Sequence, residues 1–564
     1  MRETGRGQWR AFVAGEGRWS LLLAAACSSV PNAPPAAFCP TNASPHVLAV
    51  GEYAALRPVD GCVVFPANAS TTGTVEYLLV PQATTGTPDL SASFKLAGSA
   101  AAAAAPAFVV GVQLVAPPRS PVQRFHDRLR ELERTRAYGV PGAAAPALPT
   151  VPVAPLPTAT IAVGDTGRFK VLNTLTGFSV DNVTAVARKV GQHIAIFTDT
   201  GAPKPGLSAT DLDTLRSVFD SVLYPTDTSA FGRESDIDGN GVVIVLLTNT
   251  VNKMVQDCSS GYVAGFFFGG DIDPFFRSRF NSAEIFYTIV PDPGATLSCA
   301  HSVSQVKRLI PTTFVHEFQH MISYNQHVLV RGNVAEELWL NEGMSHYAEE
   351  RGGRAFLPGD STTFCGYVRG DLSDAALYWT DLGSHPLVDT SGIGGLAERG
   401  AGWLFIRYLA DRYTQGAGLA GQDAFTRKLD NTSLTGAANV AAQANELFAT
   451  IVERWALANW VSDLPGFAAP PELMYTSWAF RTDYPKLNAR CTPPTTPAAF
   501  PLVALAGAPA SVSVSGSLRA GTGAVYQRVL QGPGAGPFQV LFSDGNGAQL
   551  RETTQPRLNV IRIR

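Results

Sequence analysis

His316-Glu317-Phe318-Gln319-His320 is the stretch of this 564-residue chain whose residue types and spacing could do chemistry. On a helix, residues four apart project from one face, so the imidazoles of His316 and His320 can grip one metal ion. Glu317, beside the first of them, is placed to take a proton from a water at that metal without being a ligand itself. Glu342 follows His320 by twenty-two residues, within Leu338-Trp-Leu-Asn-Glu-Gly. It completes a set of two histidines and one carboxylate with a coordination position left open. Catalytic zinc has that arrangement, whereas structural zinc is usually closed by four ligands rich in Cys.

The elements that must position these residues are two helices. Phe314, Val315, Phe318, Met321 and Ile322 fall at helical spacing and leave the His316/His320 edge free to face a cleft, with Pro311 suited to a first turn. Leu338, Leu340, Met344 and Tyr347 supply packing for a second helix carrying Glu342. His327 could return to the metal face, but a fourth protein ligand would close the site, so a helix-end or surface role is the better reading.

His-Glu-x-x-His followed by L-W-L-N-E-G resembles the gluzincin metallopeptidases. The longer strings HEFQHMISY, ELWLNEGMSHYAEE, RGAGWLFIRYLADRY and ERWALANWVSD are similar to the hyicolysin-type family of bacterial metallopeptidases (family M30), over roughly residues 164–463. The resemblance implies one zinc ion on His316, His320 and Glu342, Glu317 as general base, and endopeptidase action on a protein or peptide substrate. It also implies an α+β fold: a zincin-like catalytic domain with a twisted mixed sheet and an active-site helix, then a mainly helical half. In that mechanism Glu317 takes a proton from the attacking water and returns it to the leaving amine, and a second donor meets the developing oxyanion. Tyr378, His385 and Tyr408 are candidates for that donor. His346, four residues after Glu342, and Glu349 are candidates for orienting the ligand or assisting the transition state. Two rival readings are a non-catalytic surface adhesin on a zincin scaffold and a metal-dependent hydrolase of a non-peptide amide or ester.

Net charge is −3 and pI about 6.3, which leaves no basic footprint for nucleic acid. Only 16% of residues are charged, while Gly is 53 and Pro 40, a composition suited to an exported protein with Pro/Ala linkers. Arg2, Arg6, Arg10 and Arg18 precede the apolar run that ends at Cys27, so residues 1–27 read as a signal peptide. Cys27 after three alanines resembles a lipidation site, and ordinary cleavage near Ala26 is the alternative. The chain is thus expected to be secreted or anchored at the bacterial cell envelope as a lipoprotein. No later segment is long enough to span a membrane, and a monomer is expected. Setting Cys27 aside leaves six cysteines, and neighbour pairing gives Cys39 with Cys62, Cys258 with Cys299 and Cys365 with Cys491.

Residues 28–105 carry short β-rich runs and read as a sandwich-like module. Residues 106–162 hold a charged helix, read as a solvated face and a spacer, and then a Pro/Ala linker; a latent form with the helix over the cleft is the alternative. Residues 163–492 form the catalytic domain, and 493–564 a second small β module. Asp236-Ile-Asp238-Gly-Asn240-Gly241 opens like a calcium loop, with Asp236, Asp238 and Asn240 as Ca2+ ligands. Its twelfth position is Leu247 rather than Glu, which leaves a self-bonded Asx turn as the competing reading.

Overall fold

The computed structural model describes residues 43–57, 61–100, 109–110, 119–138, 160–332, 334–390, 394–414, 416–492, 497–506 and 511–564. All of them fall in one unit, Phe38–Arg564. The signal segment with Cys27, the linker after Tyr138 and the Cys39 half of the first expected bridge lie outside the described residues.

From residue 164 onward, short β-branched and aromatic runs alternate with helices and build a six-stranded mixed sheet. Its strands are β1 (Thr166–Leu172), β2 (Val180–Val190), β3 (Ile194–Asp199), β4 (Val243–Leu247), β5 (Gly265–Phe267) and β6 (Ile285–Thr288), in the spatial order β5-β6-β4-β3-β2-β1. The β3, β4 and β6 strands run parallel; β5 pairs antiparallel with β6 at one edge, and at the other β2 pairs antiparallel with β3 and β1 with β2. Every residue of β4 and β6 is buried, as expected for strands covered on both faces.

Five helices bear on the site: α1 (Pro121–Thr135), α2 (Val303–Tyr324), α3 (Leu338–Arg354), α4 (Ser361–Thr380) and α5 (Leu396–Arg412). The α2 helix lies on β5 and β6 and is fixed there by aromatic packing, with Phe314 edge-on to Phe286 at 4.8 Å and Phe318 against Phe219 at 5.4 Å. It starts at Val303 under a Ser302 cap, so Pro311 stands inside the helix rather than in its first turn. Burial of Val306 and Ile310 holds the two turns before the proline, outweighing the hydrogen bond that Pro311 cannot make.

Residues 28–105 and 493–564, read above as two modules, are joined strand to strand. The Val75–Ala83 strand pairs on one side with Gln527–Gln531 and on the other with Pro556–Arg562. In the facing sheet, Ser91–Ala100 sits between Ser511–Arg519 and Phe538–Asp544. Phe65, Tyr77, Phe94, Phe538, Phe542 and Leu558 fill the space between the two sheets. Neither set of strands has enough partners to cover its own edges, so each completes the other.

The charged α1 helix is not a solvated face. Ser120 and Gln123 form a capping box with Pro121 at the first position, and Phe125, Leu129, Arg130, Leu132 and Glu133 are buried. Its charges are paired inside the protein: Arg119 and Arg399 with Asp127, Arg130 with Glu133, and Arg136 with Asp273. Two of the expected disulfides are present, Cys258–Cys299 and Cys365–Cys491. No helix among the described residues is long and apolar enough to cross a membrane.

Candidate metal centre

The α2 and α3 helices bring His316, His320 and Glu342 together. His316 Nε2 and His320 Nε2 are 3.2 Å apart, and they lie 3.6 Å and 3.8 Å from the two oxygens of Glu342. Tetrahedral zinc with ligand bonds of about 2.1 Å separates its ligand atoms by about 3.4 Å, so this donor set fits that ion. Glu342 Oε2 is buried with no hydrogen-bond partner, the orphan that a cation would satisfy.

Each imidazole is aimed by its other nitrogen. His316 Nδ1–H donates to Glu349 Oε1 at 2.8 Å, and His320 Nδ1–H donates to Asn341 Oδ1 at 3.0 Å, which leaves both Nε2 atoms for a metal. Glu349 therefore orients a histidine, not Glu342. Burial would raise the Glu342 carboxyl, but Arg399 and the two histidines outweigh it and hold Glu342 well below the usual range. The Arg399 Nε lies 3.7 Å from Glu342 Oε2.

Gly343, next to Glu342, has a packing reason. A Cβ there would stand 3.0 Å from the backbone carbon and oxygen of Gly402, because α3 and α5 cross with their backbones in contact. Substituting either glycine would push apart the helix that carries Glu342 and the one that carries Arg399.

Glu317 faces the same space without belonging to the ligand set. Its Oε2 accepts from the Phe267 N–H of edge strand β5 at 2.9 Å. Burial raises this carboxyl, against the opposing pull of His316, Arg130 and that N–H. A cavity of about 840 Å³ opens here, lined by His316, Glu317, His346 and Glu349 together with Gly265 of β5, His126 of α1 and Arg399 of α5.

His346 also faces the cavity. Its Nδ1–H donates to Asp371 Oδ1 at 2.9 Å and to Glu349 Oε1 at 3.2 Å, while its Nε2 is buried with no partner. The other candidates for an oxyanion donor stand elsewhere. Tyr378 is buried, stacked on Trp455 and bonded to Thr522; Tyr408 donates to the Glu472 carbonyl at 2.8 Å; His385 Nδ1 donates to Glu398 Oε1 at 2.7 Å. The physical reason is packing, since each is committed to the seam between the helices and their neighbours. His327 is buried in the turn after α2, 3.7 Å from Asp430 and 3.9 Å from Glu336, so it is not a surface residue and does not join the group of His316, His320 and Glu342.

Sequence reasoning missed two residues of the cleft, His126 and Arg399. The His126 Nδ1 is 3.9 Å from Glu317 Oε1, and burial, with Arg399 next, pushes this imidazole down to about 3, so it is neutral. No spacing rule relates position 126 to position 317; only the docking of α1 does.

No family model matches the chain. Over 133 residues it is 28% identical to the neutral metalloprotease ShpI of Staphylococcus hyicus, a stretch covering 23% of this chain and 28% of that protein. The chain thus spans little more than a quarter of that relative's length, and the resemblance drawn from the motifs is matched by a distant similarity. Among solved structures, the M1 zinc metallopeptidase of Deinococcus radiodurans superposes with a TM-score of 0.28 at 13% identity, covering 51% of each chain. A variant of that enzyme bound to a Tyr-Ser-Ala substrate gives 0.28 at 13% identity, over 52% of this chain and 61% of that one.

Proposed function

We propose that the chain is an exported zinc-dependent endopeptidase in which His316 Nε2, His320 Nε2 and Glu342 hold the metal and Glu317 is the general base. The observation that carries this reading is the convergence of three donors at zinc spacing while a fourth buried group, Glu317, stays outside the set and faces the cavity. Zinc bound there would supply Lewis-acid polarisation of a carbonyl and would lower the pKa of a water. Glu317 takes the proton of the attacking water on its carboxylate and delivers it to the leaving amide nitrogen. The Phe267 N–H fixes the other oxygen of that carboxylate, so the proton-carrying oxygen is aimed into the cleft. Burial would lower the His346 imidazole, but Glu349 and Asp371 outweigh it and raise it well above its usual range, so it carries both N–H groups and donates through Nε2–H to the oxyanion.

Endopeptidase action is favoured over removal of N-terminal residues because the carboxylates lining the cavity, Glu317 and Glu349, are both committed to other work. None among the described lining residues is left to receive a free amine. Export is supported by the Cys258–Cys299 and Cys365–Cys491 bridges, which suit an oxidising compartment.

The test is hydrolysis of an unfolded protein by the zinc-loaded chain beside its Glu317→Gln variant, with metal content measured for both. The wild type should cut, and the variant should carry equal zinc and cut at least ~100-fold more slowly. Equal rates, or full zinc occupancy with hydrolysis of simple esters but of no protein, would sink the proposal.

A further inference from the structure

The sheet that supports the metal centre holds a second cluster of hard oxygen donors. Asp236 and Asp238 lie in the loop before β4, and Glu284 immediately precedes β6. Because β4 and β6 are parallel neighbours, in register from Ile244 beside Ile285, their leading segments meet at the same edge of the sheet. One carboxylate oxygen from each of Asp236, Asp238 and Glu284 lies within 4.8 Å of the others.

Glu284 is the informative member. The residue is 2% exposed; its Oε1 accepts from Ser235 Oγ at 2.5 Å and from the Ile237 N–H at 3.0 Å, and its Oε2 is buried with no partner. A buried carboxylate clamped at one oxygen and bare at the other, beside two further carboxylates, is a site built for a cation.

We propose that Asp236, Asp238 and Glu284 bind one calcium ion, with Glu284 standing in for the bidentate glutamate that ends an ordinary calcium loop. The twelfth position of the loop, Leu247, is inside β4 and buried, so the closing ligand comes from the neighbouring strand instead of from a following helix. Gly241 occupies the sixth position at φ +75°, the turn that such loops reserve for glycine. Asn240 contributes differently from the expectation above: its side-chain oxygen accepts from the Val242 N–H and its nitrogen donates to Asp238, so it braces the loop. The ion would tie the start of β4 to the start of β6, the parallel strand on which α2 packs.

The experiment is calorimetric titration of CaCl2 into the full-length, zinc-loaded chain after dialysis against calcium-free buffer, with thermal unfolding followed in parallel. The expected result is saturable binding of one calcium per chain, with Kd of about 1 mM or tighter, and a rise in Tm with calcium. Glu284→Gln should weaken binding at least tenfold, and magnesium should bind at least tenfold more weakly than calcium because it demands a tighter octahedral shell. If Glu284→Gln fails to fold, Asp236→Asn, at an exposed position, carries the test with the same expected loss. No saturable heat up to ~10 mM calcium, variants that bind within twofold of wild type, or magnesium binding equal to calcium would overturn the proposal.

Discussion

Glu349 is the carboxylate on which the geometry of the metal centre turns, and replacing it by glutamine is the sharpest test of that geometry. In the native protein it is buried, with Oε1 2.8 Å from His316 Nδ1 and 3.2 Å from His346 Nδ1. Glutamine keeps the volume and, with its carbonyl at the Oε1 position, the acceptor for both imidazoles, but it removes the charge. A charge-assisted hydrogen bond contributes about 1.5–3 kcal/mol and a neutral one about 0.5–1.5, so the orienting force on His316 falls by roughly 1–2 kcal/mol. Carboxylates behind histidine ligands typically account for 10–100-fold in metal affinity, about 1.4–2.7 kcal/mol, and the two routes agree in size. The assay is zinc competition against a chromophoric chelator at neutral pH, with circular dichroism to show that the variant is folded. Zinc affinity should drop at least fivefold, and proteolysis should recover when zinc is raised to saturation. An affinity within twofold of wild type would refute the orienting role, and activity that stays lost at full occupancy would move Glu349 into the chemistry itself.

Gly343→Ala should cost about 1–2 kcal/mol of stability, because overpacking against the Gly402 backbone outweighs the ~1 kcal/mol gained in helix propensity; a Tm equal to or above wild type would contradict the close helix crossing. Phe125→Ala should destabilise by roughly 3–5 kcal/mol, since its ring is fully buried edge-on to Phe266 at 5.3 Å; activity should fall with it, and a rise in activity would instead identify α1 as an inhibitory segment. Burial, only partly offset by bonds from Tyr287 and Asn281, pushes Asp271 up to about 7, against about 3.9 in an unfolded chain. The folded state therefore holds a proton that the unfolded state releases, so this contribution is fully present below about pH 4 and is lost as pH rises to 7. Stability measured against pH should fall more steeply in that window for wild type than for Asp271→Asn, and parallel curves would count against the assignment.

What the amino-acid order revealed about the site is what local periodicity can carry. His316, Glu317 and His320 are a helix turn, and Glu342 and Glu349 are turns of the next helix, so their mutual placement follows from spacing plus one helix crossing. The strands at 166–172, 180–190, 194–199, 243–247 and 285–288 are short runs of the same local kind, whereas their order in the sheet is not written in any one of them. His126, Arg399 and Glu284 were not, because each reaches its partner only through tertiary docking of elements far apart in the chain. The α1 helix misled for a related reason: its interleaved charges look solvated until Arg399 reaches Asp127 and Asp273 reaches the capping Arg136 from elsewhere in the chain. The two β modules were read apart because no local pattern tells a strand that its neighbour lies over 400 residues away, as Leu79 and Gln527 do.

That last pairing has a consequence for how the protein comes into being. During synthesis the Val75–Ala83 strand emerges before the metal centre and exposes both edges, while the strands that cover it, Gln527–Gln531 and Pro556–Arg562, emerge only after it. Closing contacts over such a span is slow, and bare strand edges invite proteolysis and pairing with other chains. A chain interrupted between Arg399 and Gln527 would carry His316, Glu317, His320, Glu342, Glu349 and Arg399 and still lack both strands that cover Val75–Ala83. The sandwich therefore closes only once a segment made after the metal centre meets one made before it.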